Sequence, residues 1–211
     1  MKTDDLIDAL SHDLQPTKAA SLARRVIWAL SAGAGGGLLL LIATLGLRPD
    51  FSSHFVAVLL KAGFSAALLA AALPVLLRLA RPGMPLAWRL AALVGTTGTA
   101  IVAALIALAG EDPSQRMHAW TGGGIPWCLV AIPVLAVPTA VALTWLARSL
   151  APTRLELTGA AIGAAAGGVG AIVYAMYCPV DSVAFVATWY AVAIGICAAL
   201  GAIVGSRFLR W

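Results

Sequence analysis

The stretch 157–176, which reads LTGAAIGAAAGGVGAIVYAM, runs for a full twenty positions without a charged residue. A helix of about 20 apolar residues is long enough to cross a hydrocarbon core of about 30 Å. Five further stretches of similar length and composition share the chain with it, so the sequence predicts an all-α integral membrane bundle of six transmembrane helices. The predicted spans are 26–47, 55–77, 90–110, 125–147, 157–176 and 183–204.

The composition leaves little of the chain outside a membrane. Of 211 residues, 61% are hydrophobic and only 11% are charged, a balance that does not suit a soluble core. The formal charge of +5 does not indicate nucleic-acid binding, because the basic residues lie beside the spans and form no patch. We therefore divide the chain into an amino-terminal segment, residues 1–25, and a transmembrane domain, residues 26–211.

The basic residues predict the orientation of the bundle. Eleven of the 14 Lys and Arg fall on the side of the two termini, and the positive-inside bias places that side in the cytoplasm. These eleven are Lys2, Lys18, Arg24, Arg25, Arg78, Arg81, Arg89, Arg148, Arg154, Arg207 and Arg210. Both termini are therefore predicted to be cytoplasmic.

Small residues predict how the helices pack. Gly159, Gly163 and Gly167 recur at four-residue intervals, which places them on one face of the fifth span. Such stripes let helix backbones approach closely in a bilayer, where apolar side chains provide little drive for association. We favour packing within the bundle, and a homo-oligomer is the alternative.

Lys61 is the one charge well inside a predicted span. It lies about six residues from the outer end, so its four-carbon stem can carry the ammonium to the aqueous interface. We predict this snorkelling arrangement. The functional alternative is a transport path lined by Lys61 and the glycine-rich fifth span.

The amino-terminal segment is patterned as a short amphipathic helix. Asp4 and Asp5 follow Thr3, an N-cap residue type, and complement the helix dipole in the first turn. An apolar stripe at helical spacing consists of Leu6, Ile7, Leu10 and Leu14. Its acidic face argues against anionic lipid and favours docking to a basic, soluble protein. The alternative is a helix folded back onto the protein's own loops.

The cysteines divide by predicted depth. Cys128 and Cys178 belong to the outer side, whereas Cys197 lies deep in the sixth span and is expected to be a small core residue. The outer pair could form a disulfide, bind a soft metal with His118, react with oxidants, or serve only as unconnected structural thiols. The sequence leaves these alternatives open.

Signatures of catalysis are missing from the sequence. It has no C-x-x-C, H-E-x-x-H, G-x-S-x-G or phosphate-binding glycine loop, so we expect neither an enzyme nor a cofactor. The rival functions are a small transporter or channel and, less favoured, a membrane thiol oxidoreductase. Paired midplane charges, which transporters commonly use, are not evident.

Several short motifs occur along the whole chain: residues 1–7 (MKTDDLI), 47–50 (LRPD), 127–128 (WC), 151–154 (APTR), 174–179 (YAMYCP) with Asp181, 185–190 (FVATWY) and 209–211 (LRW). In their order and spacing these motifs together resemble the NrsF family of bacterial anti-sigma factors. The resemblance covers the whole chain and implies a six-span protein of the inner membrane that binds the lipid bilayer but not nucleic acid.

The resemblance also implies roles for particular residues. The amino-terminal segment would sequester an extracytoplasmic-function sigma factor, with Thr3, Asp4, Asp5, Leu6, Ile7 and Leu10 as partner-binding residues. Cys128 and Cys178 match two outer cysteines and would sense a metal or oxidative stress. Tyr177 stands where the family pattern predicts His, a departure that favours oxidation over metal binding.

Overall fold

The computed structural model describes residues 19–79, 87–122, 126–150 and 152–209, with side chains from residues 22 and 94 onward in the first two ranges. Throughout these ranges the regular structure is helical. The helices are α1 Ala19–Thr44, α2 Phe55–Leu79, α3 Ala87–Gly110, α4 Arg116–Thr121, α5 Cys128–Arg148, α6 Leu155–Tyr174 and α7 Val183–Phe208. Within α7, the turn Val186–Tyr190 is π-helical.

Five of these helices are long and apolar enough to span a membrane: α1 (over Leu22–Thr44), α2, α5, α6 and α7. The all-α prediction is confirmed, but the prediction of six spans is met by only five helices. The third predicted span, 90–110, corresponds to α3. Its part with described side chains, Val94–Gly110, is apolar but shorter than the roughly 20 residues of a full span.

Helix α6 forms the centre of the bundle. Its side chains are almost all buried between α2, α5 and α7, while the other candidate spans each expose an apolar face. Small residues explain this position, because Ala and Gly let three neighbouring backbones approach one helix from different sides. The long uncharged stretch 157–176 therefore folds as the core of the protein.

The glycines of α6 are used for packing within the bundle, as predicted. A Cβ at Gly163 would collide with the backbone carbonyl of Cys197 on α7. On another face, a Cβ at Gly170 would lie 2.7 Å from the carbonyl oxygen of Ile132 on α5. Only glycine permits backbone contacts this close, so both helices are seated directly on α6.

Candidate functional site

The polar centre of the structure is a cluster at the end of the bundle where α1 ends, α2 begins and α6 connects to α7. We call it the Asp181 cluster; it comprises Arg48, His54, Lys61, Asp181 and the carbonyl group of Cys178. Lys61 Nζ lies 2.6 Å from Asp181 Oδ1, and Arg48 Nη1 lies 2.9 Å from the same oxygen. His54 Nε2 is more distant, at 3.8 Å from Asp181 Oδ2. The Asp181 carboxylate thus connects its own loop to helix α2 and to the segment between α1 and α2.

Lys61 is buried, and the prediction that its ammonium reaches water is wrong. Its side chain is only 3% exposed, and besides Asp181 it donates a 2.8 Å hydrogen bond to the carbonyl oxygen of Cys178. Desolvating an ammonium is costly unless it is paired and hydrogen-bonded. Both partners come from the 178–181 loop, which is distant in sequence. The ammonium is therefore paired and hydrogen-bonded inside the protein and does not extend to the aqueous interface.

Arg48 fastens the connection between α1 and α2 to the same loop. Its Nη1 donates to both oxygens of Asp181, at 2.9 and 3.2 Å, and its backbone N–H donates to the Met176 carbonyl at 3.2 Å. Helix α1 ends at Thr44, and Gly46, two residues before Arg48, has a φ of +78°, a left-handed conformation that favours glycine. This turn directs the chain so that Arg48 faces the 178–181 loop.

The charges around Asp181 determine its protonation. Partial burial alone would raise the pKa of the Asp181 carboxyl, but hydrogen bonds from Arg48 and Lys61 and their positive charges outweigh burial and lower the pKa below its ordinary value. Asp181 is therefore ionised at neutral pH. The side chain keeps 29% exposure, so water still reaches one side of the carboxylate.

Cys128 and Cys178 are brought into one buried neighbourhood beside this cluster. They are 0% and 1% exposed and belong to the same buried core, and both are free, as is Cys197. Tyr174 and Tyr190 complete the surroundings, with ring centroids 5.9 Å apart. The loop that holds Lys61 and Arg48 therefore also carries one of the two thiols.

His118 does not join these cysteines, because it is exposed on the short helix α4. Among the described residues, no three His, Cys, Asp or Glu side chains are grouped so that they could hold a metal ion. The Cys128, Cys178 and His118 metal site considered from the sequence is thus not assembled.

Sequence reasoning missed the pairing at the centre of the cluster. The sequence pattern predicts snorkelling for Lys61 and places Arg48 and Asp181 in loops, without indicating that the three side chains meet. A signal was available, since two cations and one anion all flank the predicted outer ends of spans. The predicted partner-binding residues Thr3, Asp4, Asp5, Leu6, Ile7 and Leu10 lie outside the described residues.

Together these features define a helical bundle of membrane type in which two cations share one carboxylate beside two buried thiols.

Comparison with known proteins identifies the family. Residues 10–211 match the family model NrsF, described as negative regulator of sigma F, and the chain belongs to this family. It is 37% identical to a probable anti-sigma-F factor NrsF of Azospira oryzae, over the full length of both chains. It is 34% identical, again over both full lengths, to the anti-sigma-F factor NrsF of Caulobacter vibrioides. No solved structure matches the chain significantly.

Proposed function

We propose that this protein is a membrane anti-sigma factor, which holds a sigma factor of the extracytoplasmic-function class at the inner membrane and so keeps it from RNA polymerase. The observation that carries the proposal is the full-length match to a family of negative regulators of sigma F. The acidic, amphipathic pattern of residues 1–25 supports it independently. In this proposal Thr3, Asp4, Asp5, Leu6, Ile7 and Leu10 contact the sigma factor.

The proposed topology has six spans with both termini in the cytoplasm, and α3 serves as the third span. The charge distribution supports this orientation. Arg25 and Arg148 line one cavity at one end of the bundle, and Arg148 also bonds to the carboxyl end of α7. The Asp181 cluster occupies the opposite end and would face the periplasm. Cytoplasmic excess of Arg and Lys is the usual arrangement of inner-membrane proteins.

We further propose that Cys128 and Cys178 sense the releasing signal, a metal or an oxidant. With peroxide, one oxygen atom is transferred to a thiol sulfur, which becomes a sulfenic acid, and the peroxide leaves as water. Both thiols are buried, so the reagent meets them only when the 178–181 loop opens. An added oxygen or a bound soft cation cannot be accommodated in so closely packed a site without displacing its neighbours.

The Asp181 cluster offers a route from these thiols to the amino-terminal segment. The carbonyl of Cys178 accepts hydrogen bonds from Lys61 on α2, at 2.8 Å, and from Arg48 after α1, at 3.4 Å. Displacement of this loop withdraws partners from both cations and loosens the end of α1. Helix α1 leads directly back to the amino-terminal segment, and a change of about 1.4 kcal/mol in partner affinity alters the dissociation constant tenfold.

The test of the anti-sigma role is co-purification from native membranes. The full chain, carrying an affinity tag at its carboxyl terminus so that the amino terminus stays free, is extracted in mild detergent and the soluble proteins bound to it are identified. We expect a stoichiometric sigma factor that is lost in Asp4→Lys/Asp5→Lys.

The matched control is Glu111→Lys/Asp112→Lys, which makes the same charge change at two exposed positions between α3 and α4. This control should retain the sigma factor. Equal loss in both variants, or no sigma factor bound to the unmodified protein, would refute the proposed role of the amino-terminal segment.

A further inference from the structure

Two cavities meet at the arginine end of the bundle, the end that carries Arg25 and Arg148. The first, of about 860 Å³, lies between α1 and α5 and is lined by Arg25, Trp28, Trp145 and Arg148 with small residues between them. The second, of about 520 Å³, is a groove between α5 and α7 whose floor is α6. Trp145 and Arg148 line both cavities, so the two are neighbours that share these side chains.

The groove has the dimensions and lining of an acyl-chain site. On α5 it extends from Pro133 to Arg148, about 22 Å at 1.5 Å per residue. This exceeds the roughly 15 Å depth of one leaflet, which is half of a hydrocarbon core of about 30 Å. Apart from Thr144 and Arg148, its walls are almost wholly apolar, with Val137, Val141 and Leu200 as examples. A hydrocarbon chain can therefore lie along its full length.

The cavity above the groove is lined by two arginines, Arg25 and Arg148. Within the described part of the chain, neither Arg25 nor Arg148 has an ion-pair partner. Arg148 uses Nε to donate a 2.7 Å hydrogen bond to the Phe208 carbonyl, which fixes the guanidinium across the end of the groove. A guanidinium has five N–H donors, so further donors remain for a phosphate. Trp28 and Trp145 are 70% and 81% exposed, as expected for indoles at headgroup depth.

We propose that an anionic phospholipid binds here, with its phosphate group between Arg25 and Arg148 and one acyl chain in the α5–α7 groove. Charge complementarity favours an anionic lipid over a zwitterionic one, because two cations, neither of them ion-paired to a described residue, face a single headgroup. The apolar groove favours a lipid over a soluble phosphate compound. The site would therefore bind both the phosphate group and an acyl chain of one lipid molecule.

The test is lipid selectivity measured by electron paramagnetic resonance, with spin-labelled phosphatidylglycerol and phosphatidylcholine in vesicles that contain the full-length protein. We expect the unmodified protein to prefer phosphatidylglycerol about fivefold, and Arg25→Gln/Arg148→Gln to remove most of that preference. The matched control is Arg24→Gln/Arg207→Gln. It removes the same charge from two exposed arginines at the same end that line neither cavity.

A second variant tests the groove separately from the charge. Val141→Trp places a large side chain at an exposed position of the groove wall, where it obstructs the chain without disturbing the core. We expect fewer motionally restricted lipids per protein, with unchanged helix content by circular dichroism. An equal loss of selectivity in the Arg24/Arg207 control, or no selectivity in the unmodified protein, would overturn the proposal. The proposal would also be wrong if Arg25→Gln/Arg148→Gln left the lipid selectivity unchanged and instead released a soluble protein that co-purifies with the unmodified chain.

Discussion

Removing the charge of Asp181 should destabilise the protein far more than removing the charge of Lys61. The Lys61 side chain is 3% exposed and has no other carboxylate within ion-pair distance among the described residues, so Asp181→Asn leaves a buried ammonium unneutralised. Loss of one partner of a buried pair typically costs about 3–5 kcal/mol. Because Asp181 is itself 29% exposed, we expect a value near the lower limit, about 3 kcal/mol.

The reciprocal change should be mild. In Lys61→Met the Asp181 carboxylate keeps Arg48 at 2.9 Å and its contact with water, while methionine fills the volume of the lysine stem. A partly exposed pair contributes about 0–1 kcal/mol, so we expect a loss of about 1 kcal/mol. The double variant Lys61→Met/Asp181→Asn should be more stable than Asp181→Asn alone, because it no longer buries an unpaired ammonium.

The assay is the free energy of unfolding in mixed detergent micelles, measured for the unmodified protein, both single variants and the double variant. Asp50→Asn is the control, since Asp50 is exposed and forms no ion pair within the described residues. If Lys61→Met costs as much as Asp181→Asn, or if the double variant is no better than Asp181→Asn, the inference of a buried ammonium held by one carboxylate is wrong.

Three further predictions concern pH, packing and thiol access. Because the pKa of Asp181 is lowered on folding, the stability difference between the unmodified protein and Asp181→Asn should be constant above about pH 5. This difference should shrink as the pH falls below about 3.9, the ordinary pKa of an aspartate, and then through the lower pKa of Asp181 in the folded protein. The free energy of unfolding measured at a series of pH values from about 7 to about 3 would reveal the decrease. Gly163→Ala should cost about 1–3 kcal/mol by overpacking against Cys197, whereas Gly195→Ala, with open space around it, should be neutral or slightly stabilising in the same unfolding assay. Cys178 should resist a membrane-impermeant maleimide in the unmodified protein and react faster in Asp181→Asn, as followed by mass spectrometry; equal rates would show that the cluster does not hold the loop closed.

The local features of the fold were predictable from the sequence. The length and polarity of each apolar stretch predict a helix, because only a helix satisfies its own backbone groups within a bilayer. Each predicted span overlaps a helix of the structure, and the largest shift is at the start of α1, which begins at Ala19 and not at residue 26. The glycine stripe at 159, 163 and 167 likewise predicts close packing, because a four-residue interval fixes one helix face without knowledge of the partner.

The candidate site was not predictable in the same way. Lys61 and Asp181 are separated by 120 positions in the sequence, and nothing in the spacing of either residue specifies the other. The burial of Cys178 has the same origin, since its loop is held inward by cations from α2 and from the end of α1. Such long-range pairs follow from how the helices assemble, whereas periodicity reports only on each helix by itself.

The most direct test of the proposed mechanism is the dissociation constant between the purified sigma factor and the full-length protein in lipid nanodiscs, before and after treatment with peroxide. The reduced protein should bind tightly, and oxidation should weaken binding at least about tenfold, equivalent to about 1.4 kcal/mol. Cys128→Ser/Cys178→Ser should bind equally well in both conditions. Absence of binding by the reduced protein, or the same loss of affinity in the serine variant, would contradict the account.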